Sequence, residues 1–145
     1  MIIGENRRII EVKRKIEKCL QQGEYLLMDE FLNSEEARDL MRKDQELYII
    51  GILSEVNKIE THNGVSKCFL HGRSLMELIH MYKEIVLLLR RLEFDLPKEY
   101  QVELIDYISK NDISIIAIWA IVQGTRYLYA KELIIDRFME FLKAV

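Results

Sequence analysis

The amino-acid sequence predicts an all-α fold, a single domain over residues 1–145 with about seven helices. Three observations point to it. One proline and six glycines stand in 145 residues, where average usage would supply about seven and ten, so hairpin turns and glycine-rich phosphate cradles are short of raw material. Apolar residues recur three and four positions apart along most of the chain, which is the helical period. No tract rich in Gly, Ser or Pro divides the chain, so successive helices should pack as antiparallel neighbours, in a closed bundle or an open helical-hairpin array.

The first helix is expected over Glu5 to Gln22, where Ile9, Val12, Ile16, Cys19 and Leu20 make one apolar stripe, and Gly23 ends it. Glu24 to Leu32 reads as a short second helix. Asn33-Ser34-Glu35-Glu36 offers a cap residue with an acid three positions on, the capping-box pattern. From Glu35 to about Thr61 runs either one long helix or two with a joint near Lys43-Asp44-Gln45. One face of this stretch carries Leu47, Ile50, Leu53 or Ser54, and Asn57; another carries Ile49, Ile52, Val56 and Ile59. Gly51 is the one glycine inside a predicted helix, at a cost of about 1 kcal/mol relative to Ala, and that marks a close helix contact.

His62-Asn63-Gly64 closes the helix, and Val65 to Arg73 forms an irregular connection. Ser74 with Glu77 gives a second capping box and opens the central helix, Ser74 to Glu93. There Leu75, Leu78, Tyr82, Ile85, Leu89 and Leu92 keep a strict three-four spacing, while Met76, Ile79, Met81, Val86, Leu87 and Leu88 make the other sides apolar, as expected of a buried helix. Pro97 starts a helix to about Lys110 carrying Tyr100, Leu104, Tyr107 and Ile108, and Asn111-Asp112 breaks and recaps the chain. Ile113 to Gln123 is apolar throughout and reads as a helix ended by Gly124. The last helix, Tyr127 to Leu142, should turn Leu128, Ile135, Phe138 and Leu142 inward and Glu132, Asp136, Arg137, Glu140 and Lys143 outward.

Leu47-x-x-Ile50-Gly51 has the apolar and glycine spacing found inside tetratricopeptide repeats. Ser54 and Asn63 stand where that pattern wants an aromatic and a small residue, so the hairpin array is kept only as tetratricopeptide-like.

Charge and hydropathy bound the functional class. A net charge of −3 indicates no polyanionic partner for the chain as a whole. The longest apolar runs, Ile85 to Leu89 and Ile113 to Val122, are too short for a bilayer, which needs about 20 residues. Charged residues from Glu5 to Arg8 interrupt any leader-like start, so a cytoplasmic protein with reduced Cys19 and Cys68 is expected, with no membrane partner.

Candidate chemistry is sparse. His62, Cys68, His71 and His80 form the best metal set, because Cys68-x-x-His71 can present two ligands from one loop; their overall spacing matches no standard zinc motif. The alternative packs Cys68, Phe69 and Leu70 onto the core and leaves the histidines at its edge. Glu77-x-x-His80 has the spacing of a di-iron bundle ligand pair, without a second copy. The pair then belongs, with Glu84 and Arg91, to the narrow polar stripe of the central helix. Arg90 and Arg91, near a helix end, should pair with Glu93, Asp95 or a carboxylate of a neighbouring helix; a phosphate or anion pocket is the functional alternative. Arg7, Arg8, Lys13, Arg14, Lys15 and Lys18 make the first helix basic, whereas Glu24 to Glu60 is acidic, which suits either nucleic-acid contact or self-complementary faces. Cys19 should be an inert core thiol. Trp119 should anchor the core or a hairpin interface, and Tyr127 with Tyr129 should line the core or a partner groove.

No catalytic, cofactor-binding or metal residue is assigned. The expected function is a non-catalytic protein-interaction or regulatory helical module, binding a protein partner or a second copy of itself. A metal protein or enzyme using His62, Cys68, His71 and His80 is the alternative, and nucleic-acid binding through the first helix stands behind it.

Overall fold

The computed structural model describes residues 2–94, 97–124, 126, 130–132 and 134–136, and leaves aside the side chains of residues 2, 3 and 97–100. Among these residues every regular element is a helix. In chain order they are α1 (Ile2–Gln22), α2 (Tyr25–Leu32), α3 (Glu35–Met41), α4 (Gln45–His62), α5 (Leu75–Phe94), α6 (Pro97–Lys110) and α7 (Ile115–Gln123), followed by helical residues within 130–136. No helix among the described residues is long and apolar enough to cross a membrane. The chain divides into two compact units, Met1–His80 and Met81–Val145, with the division inside α5.

In the first unit the amphipathic stripe of α1 buries Val12, Ile16, Cys19 and Leu20. Gly23, at φ +69°, turns the chain out of the helix, and the Glu24 N–H reaches back to the Cys19 carbonyl at 2.9 Å, the six-to-one bond of a Schellman closure. Gly64 repeats the device after α4, with the Val65 N–H on the Glu60 carbonyl at 3.0 Å. The stretch after α2 resolves into two helices with the break at 42–44. Asp44 causes it by capping α4, its carboxylate accepting the Leu47 N–H at 3.0 Å. The cap of α3 is Ser34, whose hydroxyl accepts the Ala37 N–H at 3.2 Å. Asn33 instead closes α2, donating its side-chain amide to the Asp29 carbonyl at 3.0 Å, so the acid at 36 has no capping-box role.

α1 packs on α2 and α3, while α4 packs on α2 and α3. Leu47, Ile50, Leu53, Ser54 and Asn57 are all buried along α4, as are Ile49 and Val56. Ile52 and Ile59, on the second apolar face, remain half exposed. Gly51 is a close contact, as its place inside the helix requires: a Cβ there would lie 2.8 Å from the Met41 sulfur of α3. The irregular segment after α4 is tied to the core, because Phe69 and Leu70 are buried and the buried Glu60 carboxylate accepts the Phe69 N–H at 3.0 Å. Arg73 returns the chain by donating to the Phe69 carbonyl at 2.9 Å and lying over its ring at 5.1 Å. Ser74 then caps α5 through the Glu77 N–H at 3.2 Å.

The three-four series Leu75 to Leu92 is buried throughout α5. The helix is not buried all round, however. Met76, His80, Lys83, Leu87, Arg90 and Phe94 form an exposed stripe, and Met76 is 77% accessible. The expected polar stripe of Glu77, His80, Glu84 and Arg91 is therefore displaced, with Glu84 and Arg91 half buried.

In the second unit α6 buries Gln101 and Leu104 and half buries Tyr107 and Ile108. Asp112 does what Gly23 and Gly64 do elsewhere: at φ 52° it lets the Ile113 N–H bond the Ile108 carbonyl at 3.1 Å. Ser114 caps α7 by accepting the Ala117 N–H at 3.1 Å. After α7, Ala130 and Ile134 are buried, one helical turn apart. Ile135, expected to face in, is only half buried, while Glu132 and Asp136 face out as expected. Leu128, Arg137, Phe138, Glu140, Leu142 and Lys143 lie outside the described residues, with Tyr127 and Tyr129, and the Tyr100 side chain is among those left aside.

Candidate binding groove

α2, α3 and α4 leave a groove on the first unit. Its floor is the side of α4 that the core does not take up: Tyr48 is exposed and Ile52 half exposed, while Leu47, Ile49, Ile50, Leu53 and Val56 are buried. Gly51 removes a side chain between Tyr48 and Ile52, and the Met41 thioether fills the space above its backbone. The cleft holds about 210 Å³ between Leu32, Met41, Tyr48, Gly51 and Ile52, rimmed by Arg38. An adjoining depression of about 720 Å³ shares Arg38, Met41 and Tyr48 and adds Arg42 and Lys43.

The polar wall is a small network. Lys58 bridges Asp29 at 3.1 Å and Glu55 at 3.0 Å, while the Ser54 hydroxyl donates to Asp29 at 3.1 Å. Hydrogen bonding to Glu55, then to Asp29, holds the Lys58 ammonium above its ordinary pKa. Lys43 is raised likewise by its hydrogen bond to Glu5 and the charge of Asp39, which lie 2.8 Å and 3.5 Å from its nitrogen. An adaptable thioether, a tyrosine and an isoleucine floor ringed by charged groups is chemistry for seating an apolar side chain.

The residues singled out in the sequence fall elsewhere. His62, His71 and His80 are exposed and Cys68 is half buried. Among the described residues no group of three or more His, Cys, Asp and Glu side chains is placed to hold a metal ion. The Cys68 sulfur instead lies 3.7 Å from the Thr61 hydroxyl and 3.8 Å from the Val65 carbonyl. Glu77 reaches Arg73 at 3.7 Å. Arg91 finds its carboxylate on the neighbouring helix, Glu103 at 3.7 Å, while Glu93 accepts the Ala130 N–H at 2.8 Å and so secures the last helix.

The basic first helix faces acids of its own unit. Arg8 meets Glu36 at 3.2 Å, and Lys13 lies 3.4 Å from Asp44 and 3.7 Å from Glu46. Lys15 sits 5.0 Å over the Phe31 ring. Cys19 is buried, and burial first, then the Glu24 charge, raises its thiol pKa. Trp119 is 46% exposed and not a core anchor, since the buried side of α7 is made by Ala117, Ile118, Ile121 and Val122. Sequence reasoning passed over Tyr48, Arg38 and Arg42, and read Met41 and Ile52 only as apolar positions of their helices; Gly51, read as a close helix contact, was the signal that pointed here.

No protein-family model, curated protein or solved structure matches the chain.

Proposed function

We propose that this chain is a non-catalytic helical module of the cytoplasm that binds a protein partner, with the groove over Gly51 as its seat. The observation that carries the reading is that Tyr48 and Ile52 face outward over the Met41 thioether, a surface the core does not use. The pairing of α1 with α2 and of α3 with α4 supports a helical-hairpin arrangement within the first unit. Two free thiols fit a reducing compartment. The ion pairs from Arg8 and Lys13 to Glu36, Asp44 and Glu46 favour the self-complementary reading of the basic helix over contact with nucleic acid.

Tagged co-purification followed by quantitative mass spectrometry tests the reading, comparing wild type with Tyr48→Glu and Ile52→Asp after circular dichroism has confirmed their folding. A partner, or an untagged second copy, that is recovered with wild type and lost with both variants supports the module. Recovery that ignores both substitutions, or a clean monomer carrying a small ligand, overturns it.

A further inference from the structure

We propose that the groove is selective for an acidic peptide segment, one that sets an apolar side chain over Met41 and Tyr48 and places carboxylates on Arg38 and Arg42. This deepens the partner-binding reading and rests on it. The argument is one of charge complementarity. The acids of this face are already engaged: Asp29 and Glu55 by Lys58, Asp39 and Glu5 by Lys43, and Glu36 by Arg8. Glu35 is the remaining carboxylate of α3, in its first turn.

Against that background Arg38 and Arg42 form no ion pair among the described residues. Arg38 reaches only the Asn33 side-chain carbonyl, at 3.5 Å. They stand one helical turn apart on either side of Met41 and sit between two depressions, one that they line with Met41 and Tyr48 and one that they line with Glu35, Glu36 and Asp39. The dipole of α3 favours cations at this end of the helix, but it does not require two guanidinium groups beside an apolar floor. Each can fork onto a carboxylate with two parallel N–H bonds, which a lysine cannot do. The groove thus offers one apolar seat flanked by two directed cations.

Selection of a random-peptide display library on the full-length protein tests this, followed by fluorescence anisotropy of the enriched peptides with wild type, Arg38→Glu/Arg42→Glu and the neutral Arg38→Gln/Arg42→Gln. Enriched peptides should carry Asp or Glu next to Leu, Phe or Trp. Their affinity should fall about tenfold in the charge-reversed double variant and less in the neutral one, and binding to the charge-reversed variant should recover when the peptide acids are replaced by Lys. Enriched peptides without acids, or with affinities indifferent to both double variants, overturn the acidic selectivity and leave partner binding standing. Failure to enrich any peptide over an unrelated displayed control overturns both.

Discussion

The carboxylate of Glu17, on α1, accepts the backbone N–H of Leu75 at 2.8 Å across 58 residues of chain. With the Ser74 hydroxyl on the Glu77 N–H, two of the free donors at the start of α5 are satisfied, one locally and one by another helix.

Replacing Glu17 by Ala removes both the acceptor and a negative charge at a helix amino terminus. The variant should lose about 1–2 kcal/mol, whereas Glu17→Gln, which keeps a carbonyl within reach, should lose less. Urea unfolding measures both, and equal losses would show that packing of the side chain, not capping, is what position 17 contributes.

Alkaline pH should weaken the fold, starting near pH 9. The Cys19 thiol is held above its ordinary 9.0 by burial and then by Glu24, and the Tyr25 phenol above 10.0 by burial and then by the charge of Cys68. The folded chain therefore keeps these protons at a pH where the unfolded chain has lost them, so stability falls as pH rises. Lys43 and Lys58, raised above 10.5 by their carboxylate partners, contribute stability that is present below that value and lost above it. All four slopes have one sign. Urea midpoints between pH 8 and 11 should decline, with the earliest part of the decline reduced in Cys19→Ala. A flat or rising midpoint would contradict the assignment.

Asn57 is buried on α4, and its side-chain oxygen is the one buried polar side-chain atom among the described residues without a hydrogen-bond partner. An unpaired buried acceptor costs about 1–3 kcal/mol. Asn57→Leu, similar in volume, should raise the melting temperature. A fall would mean that its amide does more for the fold than its oxygen costs.

The same substitution should act with opposite sign at two glycines. At Gly64, φ is +73° and a Cβ would meet nothing within 4 Å, so Gly64→Ala isolates the backbone cost, about 1–2 kcal/mol for an L-residue in the left-handed region. Gly4 has equally open surroundings but lies within α1. There Gly4→Ala should stabilise by a few tenths of a kcal/mol, less than the roughly 1 kcal/mol of a helix interior because it sits near the end. Thermal unfolding of the two variants reads both signs.

Local signals in this chain were legible. The joint near Lys43-Asp44-Gln45 is one of two readings of the sequence, and the Asp44 cap decides for it; the closures at Gly23 and Gly64 follow from the residue most at ease with positive φ, and the close contact at Gly51 from a glycine where a helix prefers almost any residue but proline. What escaped were relations between distant residues. Glu17 and Glu93 act on amide groups 58 and 37 positions away, and Arg8 pairs across 28, distances over which periodicity carries no information. The groove escaped for the same reason: both apolar faces of α4 reach the core, one through Leu47, Ile50 and Leu53 and the other through Ile49 and Val56, and only the packing of α2 and α3 leaves Tyr48 and Ile52 toward solvent. Trp119 shows the converse, an aromatic side chain in an apolar run whose rotational position places it outside.

The Met41 sulfur lies 2.8 Å from where a Cβ on Gly51 would stand, which makes the two positions share one volume. Any chain that carries a side chain at 51 must surrender size or change rotamer at 41, so their substitutions are coupled rather than additive. The thioether is also oxidisable, and a sulfoxide in that shared volume would be bulkier and polar. An oxygen-free buffer therefore belongs among the conditions under which any binding by this face is measured.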